Sequence, residues 1–302
     1  MKKFALLIAV LVAAVIVKAK PLIDTPLTGG LYNPAEKPTL ISKQFSFTEG
    51  SSVDKKGNVF FTDQPNNKIW EYSVDGKLSL WMDSTLRSNG TYFGAKGNLI
   101  SCADEHEQLI SISPKKKITV LINDYNGKLM NGPNDVWVAP NGAMYITDPY
   151  YQRDWWTRKK PDLPSQDVYY LPKGGHAPIV VVNDMKQPNG IVGTPDGKHL
   201  YIADIAANKT YKYTIQPNGT LSDKQLFCEL GSDGMTLDEK GNVYLTGKGV
   251  TIFNPQGEKI AHIDIPEPWT ANLCFAGKHK DSLFITASKA VYIIKMNVKG
   301  VE

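Results

Sequence analysis

Residues 57–63 read GNVFFTD, a turn glycine followed by an apolar strand, and the same phrase returns five more times along the chain. The later copies begin at Gly97, Gly142, Gly197, Gly241 and Asp281. Successive copies therefore start 40, 45, 55, 44 and 40 residues apart. Strand-rich units that recur about every 40–50 residues are typical of β-propellers. The sequence predicts an all-β fold, a six-bladed β-propeller.

Each repeat is predicted to be a four-stranded antiparallel meander. In the first repeat, Asp75-Gly76 marks a tight hairpin turn, because glycine readily adopts the positive φ that such turns need. The last repeat contains only three strands before the chain runs out. Residues 39–47 are extended in pattern and precede the first repeat, so we expect them to supply the missing strand. Ring closure by this N-terminal strand removes an exposed sheet edge.

Residues 1–19 are predicted to be a signal peptide. Lys2 and Lys3 precede the apolar run 4–17, and a small-residue cleavage site follows at 17–19. We therefore expect residues 20–302 to form a single propeller domain in a secreted or periplasmic protein. Because no stop-transfer pattern follows, we expect no stable membrane anchor.

Charge and cysteine content restrict the partners. Loss of Lys2, Lys3 and Lys18 with the signal peptide lowers the formal net charge from +4 to +1. The basic character therefore belongs largely to the targeting segment, and no nucleic-acid partner is expected. We expect a monomer. The three cysteines are predicted to be buried thiols, with one disulfide and one free thiol as the alternative.

An oxygen-bearing polar residue precedes every repeat at the same register. Eight residues before each turn glycine, and nine before Asp281, lie Glu49, Asn89, Asn134, Asn189, Asp233 and Asn272. Taken alone, Asn134 and Asn189 would be interpreted as turn or strand-start residues, and Glu49 and Asp233 as solvated loop carboxylates. The first strands of propeller blades surround the central axis, however, so these six side chains, hereafter the polar ring, are predicted to meet at one mouth of the channel.

Carboxylate and amide oxygens are the ligands of hard cations. The polar ring is therefore predicted to bind a divalent metal, with Ca²⁺ favoured and Mg²⁺, Mn²⁺ or Zn²⁺ as alternatives. The absence of His and Cys from the ring makes Zn²⁺ the less favourable of these.

Five short motifs follow one another along the chain. Residues 131–136 read NGPNDV and lead to ITDPY at 146–150. The others contain Glu49-Gly50, PNG at 188–190, DGM at 233–235 and NLCF at 272–275. In this order and spacing they resemble the gluconolactonase and regucalcin (senescence marker protein) family, whose calcium-dependent members are six-bladed propellers. The resemblance spans essentially all of residues 20–302.

The resemblance implies roles for individual residues. Glu49, Asn189 and Asp233 would bind the metal, with Asn134 completing the site or contacting the substrate, and Asp233 would also be the general base. Further substrate contacts are predicted for Asn89, Asn272, Asp148 and His106. The regucalcin branch carries a substrate-contacting arginine where this chain has Gly132, so the sugar contacts of that branch are not expected here.

Residues 150–164 form an aromatic and basic insertion, which explains the 55-residue spacing. This segment is predicted to cover the channel mouth as a lid, from which Arg153 would meet an anionic substrate group. The alternative is a packed surface loop.

The predicted function is a metal-dependent hydrolase that opens a sugar lactone. A bound cation would polarise the carbonyl, and a nearby carboxylate would take a proton from the attacking water. The expected partner is a small lactone or ester. Two alternatives use the same platform: a phosphotriesterase-like hydrolase, and a non-enzymatic propeller that binds metal for stability. No serine-hydrolase elbow, zincin motif or phosphate-binding glycine loop occurs in the sequence.

Overall fold

Six four-stranded antiparallel sheets, the blades of a β-propeller, make up the protein. They belong to a computed structural model that describes residues 28–302, so the predicted signal peptide at 1–19 lies outside the described residues. Within that range the helical content is confined to one short 3₁₀ helix, Gln64–Asn66, and no helix is long and apolar enough to cross a membrane.

The strands follow the repeats in chain order. Blade 1 contains β2 (Thr48–Val53), β3 (Val59–Asp63), β4 (Lys68–Tyr72) and β5 (Leu78–Asp83). Blade 2 contains β6 (Ser88–Phe93), β7 (Leu99–Ala103), β8 (Gln108–Ile112) and β9 (Ile118–Ile122). Blade 3 contains β10 (Val136–Val138), β11 (Met144–Thr147), β12 (Val168–Leu171) and β13 (Ile179–Val182).

The second half of the chain repeats this arrangement. Blade 4 contains β14 (Pro188–Gly193), β15 (His199–Asp204), β16 (Lys209–Ile215) and β17 (Leu221–Cys228). Blade 5 contains β18 (Met235–Leu237), β19 (Val243–Gly247), β20 (Gly249–Phe253) and β21 (Lys259–Ile263). Blade 6 contains β22 (Thr270–Ala276), β23 (Ser282–Ala287), β24 (Ala290–Lys295) and the N-terminal strand β1 (Thr39–Ser42).

The first strand of each blade lies at the centre of the ring. Each of these inner strands contacts the inner strand of the next blade, and β22 of the last blade contacts β2 of the first, which closes the circle. The closure itself is made by β1, which pairs antiparallel with β24 and places Thr39 opposite Ile293. The predicted six-bladed propeller and its closure by the N-terminal strand are confirmed.

The core lies between the blades. The second strand of a blade is the one most enclosed by its neighbours, and β3, β7 and β19 are buried along their whole length. Phe61 of blade 1 packs against Phe284 of blade 6 with ring centroids 5.4 Å apart. All three cysteines are buried free thiols, which confirms the first of the two predictions for them. The interlocked faces hold the inner strands at fixed positions and thereby fix the channel mouth.

Candidate functional site

The polar ring lies where the chain enters the inner strands. Glu49, Asn89, Asn189 and Asn272 belong to those strands, whereas Asn134 and Asp233 lie two residues before theirs. All six side chains are buried, with exposed fractions between 2 and 8%. Because the inner strands are neighbours around the axis, the structure brings together residues that are spread over more than 220 positions of sequence.

A cavity of about 420 Å³ opens at this mouth. Five members of the polar ring line it: Glu49, Asn89, Asn134, Asn189 and Asp233. The remaining walls come from Phe47, Gln64, Tyr151, Arg153, Gln187, Ile205, Ala206 and Trp269. A concave site with convergent polar groups is the usual form of a small-molecule site.

Glycines allow the polar ring to be narrow. Four of its members are followed directly by glycine, in Glu49-Gly50, Asn89-Gly90, Asn189-Gly190 and Asp233-Gly234. A Cβ at Gly50 would lie 1.9 Å from the carbonyl oxygen of Asn89, and one at Gly90 would lie 2.3 Å from that of Asn134. Any side chain at these positions would therefore force the neighbouring inner strands apart.

Two carboxylates, Glu49 and Asp233, line the cavity and lie close enough for their charges to interact. Burial raises the pKa of Asp233 to about 6, although a hydrogen bond from the Trp269 indole opposes the increase. Burial, together with the charge of Asp233, raises the pKa of Glu49 well above its usual range. A third carboxylate, Asp135, is buried close by without lining the cavity. Like charges this close need a proton or a cation to offset their repulsion.

Amide oxygens complete the set of cation ligands. Oδ1 of Asn89 and Oδ1 of Asn189 are buried and have no hydrogen-bond partner within residues 28–302. Leaving a buried acceptor unpaired costs about 1–3 kcal/mol. Both oxygens belong to residues that line the same cavity as the two carboxylates. Residues that present two carboxylates and unpaired amide oxygens fit a hard cation such as Ca²⁺.

The composition of this set is informative about the ion. In the described part of the chain, no group of three or more His, Cys, Asp or Glu residues is arranged to hold a metal. A cation here would therefore depend on amide oxygens as well as carboxylates. That mixture suits Ca²⁺ better than Zn²⁺, which prefers nitrogen and sulfur ligands.

Two aromatic residues of the site have no signal in the repeat pattern. The Trp269 indole Nε1 donates to Oδ2 of Asp233 at 2.6 Å and fixes the orientation of that carboxylate. The hydroxyl of Tyr151 accepts a hydrogen bond of 3.0 Å from Nδ2 of Asn189, which commits the amide nitrogen and leaves its oxygen free. Trp269 lies just before β22, and Tyr151 lies in the segment between β11 and β12. Neither segment is part of a strand, so the hydrophobic periodicity of the sequence does not predict the position of either side chain.

Asp148 lies away from the cavity, contrary to its predicted contact with the substrate. Its carboxylate is fully buried and accepts the backbone N–H groups of Asn131 and Gly132, at 2.9 and 2.8 Å. Burial raises its pKa to about 7. Asp63 and Asp204 occupy the same place in their blades and likewise accept backbone N–H groups of the segment that enters the inner strand. Asp148 therefore holds the chain around Asn134 in position.

His106 and Asn272 also lie outside the cavity lining. His106 is exposed in an outer groove beside Trp155, separated from the polar ring. Asn272 is buried near Glu49, and its Oδ1 accepts the backbone N–H of Leu273.

The insertion 150–164 contributes Tyr151 and Arg153 to the cavity. It is fastened to blade 2, because the indoles of Trp155 and Trp156 both donate to the backbone carbonyl of Asp104, at 3.0 and 2.6 Å. Arg158 lies over the Trp156 ring at 4.3 Å and pairs with Glu107 at 3.2 Å. The segment therefore forms a wall of the mouth.

Comparisons with known proteins identify the family to which the sequence is similar. The sequence profile of a family described as the SMP-30/gluconolactonase/LRE-like region matches residues 47–289. A gluconolactonase from Zymomonas mobilis is 26% identical over 294 residues, which cover 86% of this chain and 82% of the relative.

Solved structures share the fold. A gluconolactonase from Xanthomonas campestris superposes with a TM-score of 0.79 at 24% identity, covering 85% of this chain and 88% of the other. A regucalcin from Agrobacterium tumefaciens, described as a calcium-binding protein, superposes with a TM-score of 0.73 at 18% identity, covering 88% of this chain and 95% of the other.

Proposed function

This chain belongs to the SMP-30/gluconolactonase/LRE-like family, and we propose that it is a metal-dependent lactonase that opens a sugar lactone. The observation that carries the proposal is the cavity at the channel mouth, where Glu49 and Asp233 lie beside the unpaired amide oxygens of Asn89 and Asn189. The Zymomonas mobilis relative is named a gluconolactonase, which supports the same reaction class.

Glu49, Asn189 and Asp233 would hold the cation, with Asn134 as a further ligand or a substrate contact. We propose Ca²⁺ as the ion, since the ligands are carboxylate and amide oxygens. When bound, the cation supplies Lewis-acid polarisation of the lactone carbonyl. The rest of the reaction is assigned to side chains of the cavity.

Asp233 is proposed as the general base. It would take a proton from a water molecule whose oxygen forms a bond to the carbonyl carbon. The bond from that carbon to the ring oxygen then breaks, and the ring oxygen receives the proton back from Asp233. The product is the open-chain hydroxy acid. Trp269 would hold Asp233 in the orientation needed for both transfers, because its indole occupies Oδ2.

The reaction is tested by proton release from D-glucono-δ-lactone after treatment with EDTA and restoration of Ca²⁺, Mg²⁺, Mn²⁺ or Zn²⁺. We expect turnover to be lost with EDTA and restored best by Ca²⁺. Asp233→Asn should lower kcat by about 100-fold or more, the usual contribution of a general base. Near-normal kcat in this variant would remove Asp233 from the mechanism.

Asp264→Asn is the matched control. It removes one carboxylate from the same blade, at a fully exposed position outside the cavity lining, and should leave kcat unchanged. Turnover of a phosphotriester in place of any lactone would favour the phosphotriesterase alternative. A stability gain from Ca²⁺ without turnover of either substrate would favour the non-enzymatic one.

We also propose that the protein is exported. Support comes from the basic start, apolar run and cleavage site of residues 1–19. N-terminal sequencing of protein recovered from the periplasm or medium of an expressing bacterium should begin at Lys20. Recovery of intact Met1 from the cytosolic fraction alone would refute this.

A further inference from the structure

Within residues 28–302, Arg153 is the only cationic side chain that lines the cavity. Its Nε donates to Oδ2 of Asp104 at 2.5 Å. The guanidinium also lies 5.6 Å from the centroid of the Tyr151 ring and 5.8 Å from that of Trp155. Nε is therefore held by Asp104, and the guanidinium lies beside two aromatic rings at the wall of the cavity.

The terminal nitrogens of Arg153 have no hydrogen-bond acceptor within residues 28–302. Only one of the five N–H groups of the guanidinium is therefore used by the protein. The side chain is 22% exposed, and it lines the cavity. A planar pair of N–H groups held in this way matches the two oxygens of a carboxylate.

Asp104 departs from the role that its position has in other blades. Asp63, Asp148 and Asp204 follow or end the second strand of their blades and accept backbone N–H groups of the entering segment. Asp104 follows β7 at the corresponding place, but its carboxylate accepts from Arg153 and from Nε2 of Gln64, which also lines the cavity.

In blade 2, Asn67 instead accepts the backbone N–H groups of the segment that enters the inner strand. Oδ1 of Asn67 accepts the backbone N–H groups of Thr85 and Arg87, at 2.9 and 2.7 Å. Asp104 is thereby released to hold two cavity-lining side chains, even though its own burial raises its pKa and its Oδ1 has no partner in the described part of the chain. The cost of burying this carboxylate is offset mainly by Arg153, so the pair serves the cavity.

We infer that Arg153, positioned by Asp104, is the specificity-determining residue of the site and selects sugar lactones that carry a carboxylate at the end remote from the reacting carbonyl. The inference rests on the proposed lactonase function and adds the class of substrate to it. The carboxylate of the substrate accepts two N–H groups from the terminal nitrogens of Arg153, while the lactone carbonyl lies at the polar ring.

The test compares D-glucaro-1,4-lactone with D-glucono-1,4-lactone. The two differ only at the end remote from the lactone carbonyl, where the first carries a carboxylate and the second a hydroxymethyl group. We expect wild-type kcat/KM to be at least about tenfold higher for the glucarolactone. Arg153→Gln should lower that ratio by about tenfold, to near one, chiefly through KM, because a charge-assisted contact remote from the reacting atoms contributes mainly to binding. Activity on the gluconolactone should fall by a smaller factor than activity on the glucarolactone.

Two further variants separate specificity from folding. Arg158→Gln changes an arginine of the same segment that is not part of the cavity lining, so the substrate ratio should stay at the wild-type value even if both rates fall. Asp104→Ala should reduce the ratio as Arg153→Gln does, whereas Asp104→Asn, which keeps an acceptor for Nε, should restore part of it.

Hydrolysis of the gluconolactone without a preference for the glucarolactone would overturn this inference and leave the lactonase function standing. Equal losses on both substrates in Arg153→Gln would overturn it as well, because they would indicate a structural role. Failure to hydrolyse either lactone with any of the four cations would overturn both proposals.

Discussion

Gly50→Ala is expected to separate the inner strands of blades 1 and 2. The new Cβ would lie 1.9 Å from the backbone oxygen of Asn89, so one strand must retreat by about 1 Å to reach even the closest Cβ contacts that proteins show. Gly50 also has a φ of +46°, where a side chain costs about 1–2 kcal/mol. Overpacking of a close contact adds about 1–3 kcal/mol. The predicted loss of unfolding free energy is therefore about 2–5 kcal/mol.

Gly97→Ala provides the matched control. Gly97 has a φ of +77°, but nothing lies within 4 Å of the place that its new methyl group would take, so only the conformational cost of about 1–2 kcal/mol applies. Urea unfolding followed by tryptophan fluorescence measures both variants, and calcium titration measures the site. Gly50→Ala should also weaken cation binding, because Gly50 donates its N–H to Glu49 at 2.9 Å. Equal destabilisation by the two substitutions, with unchanged cation affinity, would refute the reasoning.

Three further predictions concern the site and its surroundings. Trp269→Phe removes the hydrogen bond to Asp233 and should lower kcat by about 10- to 100-fold, since a hydrogen bond to a charged group contributes about 1.5–3 kcal/mol. A change of less than twofold in the kcat of lactone hydrolysis would contradict this. Ca²⁺ at about 100 times its dissociation constant should stabilise the protein by about 2.7 kcal/mol, which is measured as a rise in Tm. Glu49→Gln should abolish this rise, whereas Asp264→Asn should preserve it. Burial raises the pKa of Glu107 to about 7, so the folded protein binds the proton of this carboxyl group more tightly than the unfolded chain does. The resulting contribution to the free energy of unfolding is complete below about pH 4.5 and is lost as the pH rises through 7. The Tm of Glu107→Gln, measured from pH 5 to pH 8, should therefore rise relative to that of the wild type, and a constant difference would count against the assignment.

The sequence was sufficient to predict the ring of blades because the repeat spacing and the turn glycines are local signals. The register of the six polar residues also predicted which side chains come together at the channel mouth, since the fold converts equal register into proximity. Five of the six line the cavity, and Asn272 is buried near Glu49. Closure by β1 followed from counting strands in the last repeat.

The positions of several side chains at the site depend on tertiary contacts that the sequence pattern does not predict. Trp269 and Tyr151 lie in irregular segments, and their positions depend on hydrogen bonds to Asp233 and Asn189. Asp148 belongs to the ITDPY motif at 146–150, on which the family resemblance partly rests, yet its carboxylate accepts hydrogen bonds from backbone N–H groups. A motif records that a residue type is required at a position, whereas the direction of its side chain depends on which neighbours need a partner.

The pairing of β1 with β24 has a consequence for how the chain folds. Its partners, such as Thr39 and Ile293, are separated by most of the sequence, so the ring cannot close until the last blade has been made. Until then β1 has no partner strand and β24 is paired on one edge only, and contacts between such distant residues form slowly. Shortening the chain by its last strand would leave the first one without a partner as well. The native topology of the ring is therefore reached only after β24 has been synthesised.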